Sequence, residues 1–125
     1  MASIRTRAQV ESEISEAIIR FEKEYMGRGP VETKSYLLDD LILIRLQAVL
    51  TKAEIQLAKS TESVRGRELI KEVRIQLLEK GRPLLEAVVE DVTGCKVVSM
   101  HTDISTVTGE RVIIFTLNQI PEIAT

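Results

Sequence analysis

The chain has no tryptophan, two tyrosines, two phenylalanines, one histidine and one cysteine in 125 residues. A single cysteine, Cys95, forms no internal disulfide, which suits a reducing compartment. One His and one Cys are too few for a His-rich or Cys-rich metal site, so neither a metal nor another cofactor is expected. Positive charge is not in excess either: 17 Lys and Arg stand against 19 Asp and Glu, a formal net charge of -2. Such a balance supplies no field for nucleic acid or for acidic lipid. Long hydrophobic runs are missing as well. A run such as Leu41 to Ile44 falls far short of the roughly 20 residues that span a bilayer. The opening MASIRTRAQVESE carries charges where an export signal needs an apolar stretch. The expected setting is the cytoplasm, with any membrane link made through a partner.

What is present is a balance of 44% hydrophobic and 29% charged residues. That balance builds a core and solvates a surface. The length suits one domain over residues 1–125, with a core from about 6 to 118 and a loose tail from 119 to 125.

Val10, Ile14, Ile18, Phe21 and Tyr25 recur at spacings of three and four, with Glu11, Glu13, Glu22, Lys23 and Glu24 between them. This pattern predicts an amphipathic helix from about Thr6 to Met26, opened by a capping box of Thr6 and Gln9. The stretch YMGRGPV follows. Gly27 accommodates the left-handed turn that ends a helix, and Pro30 pushes Gly29 out of the helical region. A phosphate-gripping loop places its glycines before a helix rather than after one, so GRGP reads first as a stop signal. Arg28 remains a candidate contact for a partner or an anion.

From Val31 to Leu50 the period changes to two around Asp39-Asp40, predicting a hairpin with Leu38 beside Leu41. One face, with Val31, Leu37, Ile42, Ile44, Leu46 and Ala48, is expected to pack on helices. The other carries Tyr36, Leu38, Leu41 and Leu43 near the turn, then Glu32, Lys34, Arg45 and Gln47. This is too apolar at one end for a solvated surface, so something is expected to cover it.

Thr51 and Glu54 form a second capping box, opening a helix to about Lys59. Beyond a break at Ser60 to Gly66, Ile70, Val73, Leu77, Leu84, Val88 and Val92 trace one stripe to Thr93-Gly94. The stripe predicts one long helix, bent near Gly81 by Pro83. The cations Lys59, Arg65, Arg67, Lys71 and Arg74 are interleaved with Glu54, Glu62, Glu68, Glu72 and Glu79, and read as a solvated face.

Cys95 to Ile104 and Glu110 to Leu117 alternate again around TVTG, predicting a second hairpin. Val98, Met100, Thr102 and Ile104 fall on one side, with Ser99, His101 and Asp103 on the other. A carboxylate near an imidazole is able to raise its pKa and fix its tautomer. No third catalytic partner stands at a fixed spacing, so a surface or interface pair is the plainer reading and no enzyme is expected.

The segments YMGRGP, GRELI at Gly66 to Ile70, GRPLLE at Gly81 to Glu86, TGCKVVSMHTDIST at Thr93 to Thr106, and TGERVIIFTL at Thr108 to Leu117 together resemble the bacterial MpsC family. The resemblance covers about Val10 to Leu117. It implies a place beside membrane ion or inorganic-carbon transport proteins and carries no established reaction. The matching motif positions are Gly27, Arg28, Gly29, Pro30, His101, Thr102, Asp103, Gly109, Glu110 and Arg111.

The expected fold is a two-layer α+β domain in the order α-β-β-α-α-β-β, two antiparallel hairpins forming one sheet with helices on one face. The leading function is an accessory or regulatory interaction module. The alternative is a small-anion or nucleotide sensor built on Arg28, Arg45, His101 and Asp103. Arg45, His101, Asp103, Glu110 and Arg111 join Arg28 as ligand or partner candidates, while Gly27, Gly29, Pro30, Gly94 and Gly109 serve the turns. The bare sheet face predicts a homodimer or higher oligomer, or a membrane transport partner.

Overall fold

Thr6 opens the first helix as the capping box requires: its hydroxyl accepts from the Gln9 N–H at 3.2 Å, and the Gln9 side chain accepts from the Thr6 N–H at 2.8 Å. The computed structural model describes residues 4–27, 29–59 and 63–124. Helix α1 (Arg7–Tyr25) buries Val10, Ile14, Ile18 and Phe21. It closes where the Met26 N–H donates to the Glu22 carbonyl at 2.9 Å. Gly27 follows at φ +80, so the glycine does end the helix. Arg28 lies outside the described residues.

Strands β1 (Glu32–Leu38) and β2 (Leu41–Gln47) pair with Leu38 opposite Leu41, as the Asp39-Asp40 turn predicts. Ser35, Leu37, Ile42, Ile44 and Leu46 are buried. Val31, expected among them, is 73% exposed because it precedes the strand. The second capping box opens helix α2 (Lys52–Ala58), with Thr51 and Glu54 exchanging bonds of 3.2 and 2.9 Å.

Helix α3 (Ser63–Thr93) runs unbroken through Pro83. Its buried stripe lies beside the expected one: Ile70, Arg74, Leu78, Leu85, Val89 and Val92 face inward, while Val73 and Leu84 are each 54% exposed. The displacement has a physical cause, because one inward position is an arginine that a purely apolar stripe passes over. Gly81 of α3 lies against Phe21 of α1. A Cβ there would lie 2.0 Å from Phe21 Cε2.

Strands β3 (Val97–Ile104) and β4 (Arg111–Leu117) complete one antiparallel sheet in the order β1-β2-β4-β3. An irregularity between Val97 and Ser99 inserts Val98 as an unpaired residue. Val97 consequently packs on the core and Val98 is 65% exposed, the reverse of strict alternation. Met100, Thr102 and Ile104 face the helices as expected.

The three helices cover one face of the sheet. The last residues are tied down rather than loose: Pro121 is buried, Ile123 packs on the core, and the Ala124 N–H donates to the Arg5 carbonyl at 2.9 Å. An isolated parallel bridge between Thr6 and Ala124 holds both ends together. Such a bridge leaves no period in the sequence.

Candidate functional site

Antiparallel register places directly opposed residues on the same side of a sheet. Across β1, β2, β4 and β3 the uncovered face therefore reads in rows. The first is Leu38, Leu41, Thr116, Ser99; the second is Tyr36, Leu43, Ile114, His101; the third is Lys34, Arg45, Val112, Asp103. Apolar side chains occupy the β1 and β2 positions of the first two rows and continue to Ile114 on β4, and charge gathers in the third row and beyond it. Ser99 and Thr116 hydroxyls bond to each other, closing the first row at its β3 end.

At the polar end, Glu110 accepts from Arg45 Nη2 at 2.6 Å, from Arg45 Nε at 3.0 Å and from Gln47 Nε2. The hydrogen bonds from Arg45 and then from Gln47 hold the Glu110 carboxyl below its ordinary range. Arg45 is thus committed to a carboxylate. The hollow beside it, lined by Glu32, Lys34, Arg45 and Gln47, encloses about 50 Å3. Small-molecule sites run to roughly 300–1,000 Å3.

His101 and Asp103 share the face, but they do not bond to each other. Asp103 accepts from the Ile104 N–H at 2.8 Å and pairs with Lys71 Nζ at 3.4 Å. His101 is exposed, and its imidazole has no hydrogen-bond partner among the described residues. Arg45, His101, Asp103 and Glu110 are therefore spread over a flat surface rather than drawn into a pocket.

Arg111 points the other way, into the core. Its Nη1 donates to Glu22 Oε1 at 3.1 Å, its Nη2 to the Arg74 carbonyl at 3.4 Å and its Nε to Thr102 Oγ1 at 3.4 Å. Arg74, expected on a solvated face, is buried beside it. It forks onto Glu54 with bonds of 2.9 and 2.7 Å and donates to the Val49 carbonyl at 2.9 Å. Arg74 Nη1 and Glu22 Oε2 stand 3.6 Å apart, an ion pair in which neither atom has a hydrogen bond. Two arginines and two glutamates thus join α1, α2, α3 and β4 with balanced charge.

Burial pushes the Glu22 carboxyl up, outweighing the attraction of Arg111 and Arg74. Burial also lowers Arg111 against the pull of Glu22. At Glu54 burial is outweighed by the Arg74 hydrogen bond and the Thr51 cap, and the carboxyl is lowered. The sequence pattern sets Glu22 and Arg74 among the outward charges, whereas both are buried. Their signal was positional: Glu22 is four residues beyond Ile18, and Arg74 lies four residues from both Ile70 and Leu78, so each continues a buried stripe.

The turn glycines do what their positions require. Gly94 ends α3 at φ +71, and Gly109 turns the second hairpin at φ +77. Gly29 lies close enough to α1 that a Cβ would fall 2.9 Å from Lys23 Cε, and Pro30 is half-buried beside it.

Fold and site together define a two-layer α+β module with one bare sheet face. No helix among the described residues is long and apolar enough to cross a membrane. A family model described as "Na+-translocating membrane potential-generating system (MpsC)" matches residues 6–119, and the chain belongs to that MpsC family. It is also 42% identical over 113 residues to "Uncharacterized protein YbcI" of Bacillus subtilis (strain 168), a match covering 90% of this chain and 89% of the relative. No solved structure gives a significant match.

Proposed function

We propose that the protein is a cytoplasmic accessory or regulatory module of a Na+-translocating, membrane-potential-generating system, docking on a membrane transport protein through the open face of its sheet. The observation that carries this reading is the composition of that face. Tyr36, Leu38, Leu41, Leu43, Val112 and Ile114 form a continuous apolar area beside a polar end of Lys34, Arg45, Asp103 and Glu110. An apolar area bordered on one side by charge suits a protein contact surface, whose core is apolar and whose margin is polar. The family description supplies the setting.

The face, rather than the β1 edge, suits this role. At that edge the Leu37 N–H donates to Glu11 Oε2 at 2.8 Å, and Arg7 Nη1 donates to the Leu37 carbonyl at 3.1 Å. Side chains of α1 thus occupy groups an added strand would need. The outward side of α3 also exposes Leu69, Val73 and Ile75, but Glu72, Gln76, Glu79 and Lys80 interrupt it. A small-anion sensor at Arg45, His101 and Asp103 is disfavoured by the flat surface and by the pairing of Arg45 with Glu110.

The test is affinity purification of tagged protein from mildly solubilised native membranes, with partners identified by mass spectrometry. The wild type is expected to enrich a polytopic ion-transport protein that Leu43→Glu loses while keeping its fold. Equal recovery by Leu43→Glu, or enrichment of no membrane protein, overturns the proposal.

A further inference from the structure

A second region, separate from the open face, has the features of a ligand site. Between β2 and α2 the chain turns at Ala48, which adopts φ +56, and the Val49 N–H donates to the Gly109 carbonyl at 3.0 Å. That bond pins the β3–β4 turn against the start of α2. The space between this turn and the α2–α3 pair is a cavity of about 480 Å3. A volume of that size falls within the usual range for small-molecule sites.

Its lining has a clear chemical division. Leu50, Ile55, Ala58 and Val107 supply apolar walls, and Lys59, Arg67, Thr106 and Thr108 supply cations and hydroxyls. Among the described residues that line it none is acidic, although acidic residues outnumber basic ones in the chain as a whole. Lys59 caps the C-terminal end of α2, where a cation offsets the helix dipole, so its charge is explained without a ligand. Arg67 is different. The other buried or half-buried arginines among the described residues meet acceptors: Arg5 meets Glu13, Arg74 meets Glu54, Arg82 meets Glu86 and Arg111 meets Glu22. Half-buried Arg67 has no such partner among the described residues. A guanidinium partly removed from water without a carboxylate is suited to an anion.

We infer that this cavity binds a small amphiphilic anion: a carboxylate or phosphate head at Arg67 and Lys59, and a short apolar chain against Leu50, Ile55, Ala58 and Val107. Thr106 lines the cavity with a further hydroxyl. The Thr108 hydroxyl already accepts from the Glu110 N–H at 3.2 Å, and its hydrogen remains available to the head group.

The probes are hexyl phosphate, hexanoate, hexanol and inorganic phosphate, each titrated into 15N-labelled protein while backbone amide shifts are followed. At least one of the two amphiphilic anions is expected to shift Ala48, Lys59, Val107 and Gly109 saturably, and the tighter of the two identifies the head group. Hexanol and inorganic phosphate should each bind at least about tenfold more weakly, and Arg67→Gln should weaken the anion about tenfold while leaving hexanol unchanged. The inference is overturned by any of three results: no saturable shift up to about 10 mM of either anion, shifts confined to Leu38, Leu43 and Ile114, or equal anion binding by Arg67→Gln. Arg67 makes no hydrogen bond or ion pair with the described residues of the core network or the open face, and a retained amide spectrum shows that the variant is folded.

Discussion

Arg111 on β4 reaches across the core to Glu22 on α1, Nη1 to Oε1 at 3.1 Å, with both side chains sealed from water. A buried pair returns only part of the cost of desolvating two charges, but removing one partner strands the other. Glu22 faces Arg74 as well. Glu22→Ala is therefore expected to lose about 3–5 kcal/mol in urea denaturation. The double variant Glu22→Leu, Arg111→Met, which removes both charges, should lose less than the sum of its singles. A single-variant loss below about 1 kcal/mol, the scale of an exposed pair, would contradict this assignment.

Acid should separate Glu54 from Glu22. The folded carboxyl of Glu54 lies below its ordinary value, so its stabilisation is present above that value and is lost as pH falls through the folded one. Glu22 is raised, so its contribution is complete below the ordinary value and is lost as pH rises through the folded one. The two trends oppose each other, and a wild-type pH curve alone does not resolve them. The stability gap between wild type and Glu54→Gln should hold from neutral pH down to the ordinary carboxylate range and close below it. A gap that widens on acidification would reverse the sign assigned to Glu54.

Two glycines should fail for different reasons. Gly27 has φ +80 and open space around an added Cβ, so Gly27→Ala should cost about 1–2 kcal/mol from backbone conformation alone, with Gly27→Asn costing less. Gly81 is helical, and its added Cβ would overlap the Phe21 ring. Gly81→Ala should cost about 1–3 kcal/mol through overpacking, and Phe21→Leu should recover part of that loss. Thermal or urea denaturation of the single and double variants checks both, and strict additivity of Gly81→Ala with Phe21→Leu would argue against the contact.

The sequence made the α+β class, both hairpins, both capping boxes and the Gly27 stop legible, because each depends on residues within a few positions of one another. The order β1-β2-β4-β3 was not legible, since alternation says which side a residue faces and not which strand lies beside it. Val97 and Val98 exchanged faces because a bulge shifts the phase without marking the composition. The buried network was missed for a related reason. Glu22, Arg74 and Arg111 look like surface charges when taken singly, and only the packing of α1, α3 and β4 brings their opposite charges together. Of the candidate site, the shared face of His101 and Asp103 was legible from strand alternation, but the pairing of Arg45 with Glu110 depends on contacts 65 residues apart.

The same face that is proposed to meet a transport protein should also draw two copies together when that partner is absent. Helices cover Ile42, Ile44, Leu46, Ile113 and Phe115, while Leu41, Leu43, Val112 and Ile114 lie half-buried on the uncovered side, with Tyr36 and Leu38 exposed beside them. Each Å2 of apolar surface removed from water contributes about 25 cal/mol before the entropic cost of association. A two-fold arrangement lets one apolar area cover its own copy. Light scattering at high micromolar concentration should give at least twice the 14.0 kDa mass of one chain. Leu43→Glu sets a carboxylate between Tyr36 and Ile114 in the central row and should return the protein to monomer with its amide spectrum dispersed. Raised salt should not dissociate the wild type, because burial of apolar surface is not screened as charge pairs are. A wild type that remains monomeric under these conditions would end the self-association claim and leave the face to a heterologous partner alone.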